Sequence, residues 1–119
     1  MYQKLIIIGN LGSDPEMKLL PDGKAVTSFS VATSRKFSDK DETTWFRVSV
    51  WGKQAESCNQ YLHKGSKVLV EGRLRGGEDG SPRTFTRKDG STGASYEVVA
   101  ESVKFLSGRE DAPDSDVPF

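Results

Sequence analysis

Between residues 45 and 51 the chain reads Trp-Phe-Arg-Val-Ser-Val-Trp. Successive side chains of a strand point to opposite faces, so Phe46, Val48 and Val50 share one face while Trp45, Arg47, Ser49 and Trp51 share the other. The first set suits a core. The second sets two indoles and a guanidinium on an outer surface, which is costly in water unless something flat and anionic covers it. Single-stranded nucleic acid is both: its bases stack on aromatic rings for about 1–3 kcal/mol each, whatever the base, while Arg and Lys follow the phosphates. The alternative is that the indoles cover a helix or a neighbouring subunit, since Trp is often buried and is enriched at protein interfaces.

Two further segments interleave rings with positive charge. Arg35-Lys36-Phe37 closes the preceding strand, and Pro82-Arg83-Thr84-Phe85-Thr86-Arg87-Lys88 lies in a glycine-rich stretch. Phe37 and Phe85 are stacking candidates, with anchoring of their own turns as the other reading. Lys4, Lys40, Lys53, Lys64, Arg73 and Arg75 extend the charge along the same path or are plain solvated residues.

Other chemistry finds little support. One cysteine (Cys58) and one histidine (His63) give neither a disulfide nor a zinc ligand set. Cys58 reads as a small core residue of a helix, and Asp14 and Glu16, separated by Pro15, read as turn residues. There is no triad, carboxylate dyad or phosphate loop, so the expectation is a non-catalytic protein without metal or cofactor. A small nuclease on the same scaffold would need a carboxylate cluster that the sequence lacks. The longest apolar run near the start, Leu5 to Ile8, is too short for a membrane span. The expected setting is the cytoplasm.

The elements that must hold these residues are mostly strands. The chain has 119 residues, 34% hydrophobic and 29% charged, enough for one compact domain. Strands are expected over Lys4–Ile8, Met17–Leu20, Ala25–Ser34, Thr44–Trp51, Lys67–Arg75 and Ser95–Leu106, with Pro21-Asp22-Gly23 as a turn. Lys53–His63 is the one helix, with Ala55, Cys58 and Leu62 on a stripe, Tyr61 beside them and Gly65 as its stop. Thr84–Lys88, Asp89-Gly90 and Thr92–Ala94 suggest a protruding β-hairpin. Five long strands with a helix between the third and fourth give the element order of the OB-fold, a five-stranded Greek-key barrel, in an all-β class. Leu5-Ile6-Ile7-Ile8 is apolar on both faces, which a strand with one wet face should not be, so it is expected in a subunit interface.

Seventeen basic and seventeen acidic residues cancel. The cancellation hides an asymmetry: from Gly108 onward one basic residue faces four acidic ones, leaving −3 on that stretch and +3 on the body. Residues 1–106 are expected to form the domain and residues 107–119 a disordered acidic tail, too poor in apolar groups to fold alone.

The chain resembles the bacterial single-stranded DNA-binding protein family. The resemblance rests on Gly9-Asn10-Leu11-Gly12-Ser13-Asp14-Pro15-Glu16, Ala32-Thr33-Ser34, Thr44-Trp45-Phe46-Arg47-Val48, Trp51-Gly52-Lys53, Tyr61-Leu62-His63-Lys64-Gly65-Ser66 and Val70-Glu71-Gly72-Arg73-Leu74. It implies an OB-fold, a homotetramer, binding of single-stranded DNA with little sequence preference, and roles in replication, recombination and repair. The implied stacking residues are Trp45, Trp51, Phe37 and Phe85; the residues themselves then place Lys4, Arg35, Lys36, Arg47, Lys53, Arg73, Arg75 and Arg87 along the phosphates. The loop Gly76-Gly77-Glu78-Asp79-Gly80-Ser81-Pro82 is longer and more acidic than in many relatives. Asp114-Ser115-Asp116-Val117-Pro118-Phe119 resembles the family's C-terminal tip, implying recruitment of genome-maintenance proteins through Asp114, Asp116, Val117, Pro118 and Phe119. Ser107 to Pro113 would span about 15 Å as a flexible linker, keeping that tip close to the body. An adaptor whose tryptophans meet protein instead of DNA is the competing reading.

Overall fold

The computed structural model describes residues 1–106, so the expected tail, with its tip, lies outside the described residues. Seven strands and one helix follow in the order β1 (Leu5–Leu11), β2 (Glu16–Leu19), β3 (Ala25–Phe37), β4 (Lys40–Trp51), α1 (Lys53–Tyr61), β5 (Lys67–Leu74), β6 (Arg83–Thr86) and β7 (Thr92–Phe105). The sheet runs β1-β5-β7-β4-β3-β2, and β1 also pairs with β3 through Asn10↔Ala32 and Leu11↔Val31. That second pairing closes a five-strand barrel of β1, β3, β4, β5 and β7. With β4 and β7 parallel and the other barrel pairs antiparallel, it is the expected OB-fold.

Alternation builds the interior. Ala25, Thr27, Phe29 and Val31 of β3 point inward with Val48 and Val50 of β4, Val68 and Val70 of β5, and Val98 of β7. Closing the barrel brings β5 and β7 too near for a side chain at one corner. A Cβ on Gly72 would collide with the Val99 carbonyl, at the same point where the β5–β7 register slips. The helix seals one end with Ala55, Cys58 and Leu62, and the buried Thr27 hydroxyl donates to the Ala55 carbonyl at 2.7 Å. Burial pushes the Cys58 thiol up to about 11, so it stays protonated at neutral pH and acts as a small apolar group.

Three details differ from the sequence reading. The helix ends earlier, with Leu62 already extended and Gly65 three residues beyond it, and Tyr61 is exposed and not part of the buried stripe. β3 and β4 run further, to a two-residue turn at Ser38-Asp39 with φ of 49° and 68°. Positive φ at both turn residues matches the right-handed twist of the flanking strands, so the pair forms one long arm. The expected hairpin is present as β6 paired with the start of β7, Phe85 opposite Gly93.

One turn design recurs three times, at Leu20–Lys24, Gly77–Ser81 and Arg87–Ser91. In each, the first N–H donates to the fifth carbonyl (2.8, 2.8 and 2.7 Å), the fourth N–H returns to the first carbonyl, and the Asp of an Asp-Gly pair accepts the fifth N–H. The glycine takes positive φ each time, which the bulge of a three-residue hairpin loop requires. Hydrogen bonds from Ser81 and Ser91 hold the Asp79 and Asp89 carboxyls below their ordinary range.

Candidate nucleic-acid interface

The barrel's outer face can be read from strand register. Across β3 and β4 the outward pairs are Val26↔Trp51, Ser28↔Ser49, Ser30↔Arg47 and Ala32↔Trp45. β3 therefore offers Ala32 beside Trp45 and Val26 beside Trp51, with Ser28 and Ser30 between, and no aromatic or long side chain of that strand stands next to the indoles. Trp45 is 52% exposed and Trp51 38%. From β4 the face continues to β7 through Arg47↔Glu97 and Ser49↔Val99, then to β5 through Val99↔Arg73. Lys4 precedes Leu5, whose partner is Gly72, so it stands beside Arg73.

Trp45 has a floor. A Cβ on Gly12 would overlap the far edge of its indole, so the ring rests on bare backbone that is itself fixed by Gly12 N–H donating to the Ser30 carbonyl at 3.0 Å. Gly12→Ala should therefore lift the indole off this support. The expected result is a red-shifted Trp emission and several-fold weaker binding of oligo(dT) in a fluorescence titration, with the folded barrel retained; unchanged emission would contradict this packing.

The hairpin repeats the device. A Cβ on Gly93 would meet both the Phe85 ring and the Arg87 guanidinium, and Arg87 lies over Phe85 at 5.4 Å. By alternation Arg83 and Phe85 face the same way as Ser95 and Glu97, and so the same way as Arg47 and Trp45. Arg83 pairs with Glu97 at 3.3 Å, and Glu97 also accepts the Ser95 hydroxyl at 3.0 Å. The one acid in the middle of this face is thus occupied, while Arg47 and Arg73 have no ionic partner among the described residues.

Phe37 and Arg35 stand elsewhere. They share the parity of Val31, so on the β3–β4 arm they occupy the reverse side from Trp45, with Arg35 at 5.2 Å over Phe37 and paired with Glu42. Lys36, opposite Asp41, is on the Trp45 side. Lys53 is exposed at the first turn of α1, and Arg75 follows β5, its N–H donating to the Glu97 carbonyl. The structure thus brings Trp45, Arg47, Trp51, Arg73, Phe85 and Arg87 onto one connected face, with Lys4 at its border. Sequence reasoning missed Gly12, Gly93 and Glu97 as parts of it, and with Glu97 the ion pair that Arg83 makes.

Asp14 and His63 do not belong to this face. The Asp14 carboxylate accepts the Lys64 N–H at 2.8 Å, as a turn residue would, and His63 is exposed. Among the described residues no three His, Cys, Asp or Glu side chains group as metal ligands, and no helix is long and apolar enough to cross a membrane.

Comparison with known proteins settles the kinship. The sequence profile of the single-strand binding protein family matches residues 2–106, the whole barrel. The chain belongs to this family. It is 40% identical over 113 residues to a single-stranded DNA-binding protein of Neisseria meningitidis serogroup A, covering 91% of this chain and 62% of that one. It is 39% identical over 114 residues to that of Wolinella succinogenes, covering 92% and 67%, and 38% identical to that of Helicobacter hepaticus, covering 92% and 64%. The chain thus spans between three fifths and two thirds of the length of these curated family members.

Proposed function

We propose that this chain binds single-stranded DNA with little sequence preference, protecting it during replication, recombination and repair, and that it is not an enzyme. Bases stack on Trp45, Trp51 and Phe85, and on Phe37 where the strand passes round the arm. Phosphates follow Lys4, Lys36, Arg47, Arg73, Arg75 and Arg87, with Arg35 and Lys53 at the edges. The observation that carries this reading is the pair of open indoles on one face with Arg47 and Arg73, which have no ionic partner among the described residues. Residues 1–106 form the binding domain. Residues 107–119 form an acidic segment whose Asp114, Asp116, Val117, Pro118 and Phe119 recruit genome-maintenance proteins.

Ile6 and Ile8 support assembly as a homotetramer. Both are exposed on β1, beside Glu71 and Leu69 of β5, and a second copy would cover them. A cytoplasmic setting fits the single, buried, protonated cysteine.

Titration with oligo(dT) tests the reading. Tryptophan emission should be quenched on binding, and log K should fall linearly with log salt at a slope of about −0.7 per phosphate neutralised. Unchanged emission at saturating DNA would overturn it.

A further inference from the structure

The geometry points to a separate nucleotide recess in this protein, taking one base of the bound strand between Leu74 and Tyr96. This inference rests on the DNA-binding reading above. The recess has a volume of about 690 Å³ and lies under the Gly76–Pro82 loop, where β5 gives way to the hairpin. That is within the roughly 300–1,000 Å³ of small-molecule sites.

Its walls suit the faces of a base. Tyr96 is 61% exposed and Leu74 50%, a large uncovered apolar pair, with Pro82 beside them. Phe46 braces the Tyr96 ring at 5.7 Å between centroids. Its polar groups suit a base edge and a phosphate. The Gln3 side-chain oxygen accepts the Leu74 N–H at 3.0 Å, which leaves its amide N–H groups to donate elsewhere. The Arg75 side chain has no partner among the described residues and is exposed for a phosphate.

Leu74 and Tyr96 share the inward parity of Val70 and Val98, so the recess lies on the reverse side of β5 and β7 from Trp45, and Arg83 and Glu97, which line it, join it to the stacking face. It is also preformed. The loop above it is closed by Gly77 N–H to the Ser81 carbonyl at 2.8 Å and by Arg83 to the Gly76 carbonyl at 3.4 Å, so little ordering opposes binding.

The same chemistry would accept a free mononucleotide, so the test separates the two sources. Oligo(dT) carrying one 5-iodouracil is photo-crosslinked to the full chain, and the adducts are mapped by mass spectrometry. An adduct on Tyr96, besides those on the tryptophans, is expected. Tyr96→Ala should remove it and weaken binding in fluorescence polarisation by about tenfold, the worth of one stacked base. Ala94→Phe, which fills the recess and leaves Tyr96 in place, should cause a similar loss. Adducts confined to the tryptophans, with full affinity in both variants, would overturn the recess and leave the stacking face standing. Failure to bind oligo(dT) at all would instead overturn the underlying reading. Protection of Tyr96 by dTMP without any strand adduct there, or a changed oligomer mass in Ala94→Phe with affinity intact, would each overturn the assignment to the strand.

Discussion

Replacing Trp45 and Trp51 together by alanine should weaken oligo(dT) binding by about 2–6 kcal/mol, the sum of two base stacks. In dissociation constant that is roughly 30-fold to 10⁴-fold. Both rings stand on the outer face and neither belongs to the barrel core, so the deletion opens no cavity in the interior. The unfolding midpoint in urea should accordingly move less than for a core residue, and the oligomer mass by light scattering should stay the same. A changed mass with DNA affinity intact would mean instead that the indoles meet protein, as an adaptor would have them do.

Phe29→Ala should have the opposite profile, costing about 3–5 kcal/mol of stability in a urea denaturation experiment. Phe29 is 2% exposed and packs on the inner face of β3 with Val31, Val48 and Val50. A domain of this size has a total of about 5–15 kcal/mol, so the variant would be close to unfolding at physiological temperature. Where it remains folded, its affinity for oligo(dT) should be near that of the parent, because Trp45, Trp51 and Phe85 lie on the other side of the sheet. A loss of affinity without a loss of stability would contradict this division of β3 and β4 into an inner and an outer face.

That division was the most legible part of the sequence. Period-two alternation from Trp45 to Trp51 assigns each side chain to a face without any knowledge of the partner strands, and the register agrees residue by residue. The five-strand order was legible for a similar reason, since each strand is bounded by turn residues. Legibility failed where the chain's conformation depends on something far away or on an atypical residue. The Ser38-Asp39 turn adopts positive φ without a glycine, so β3 appeared to stop at Ser34 and Phe37 was left without a face. Gly12 lies 33 positions before the ring it supports, a contact that exists only because β1 closes against β3. Tyr96 was read as one more strand residue, because the loop that turns its surroundings into a recess has no apolar pattern of its own.

The long β3–β4 arm also bears on which polymers suit this surface. A strand that touches Trp45 and then Phe37 has to cross the arm's rim and reverse its lateral direction within a few sugars. Polymers whose bases stack strongly on one another resist such a hairpin bend, whereas thymine runs, which stack weakly, coil over it freely. Preference among homopolymers would then reflect how readily each one curls, with no hydrogen bond to any base edge needed to explain it.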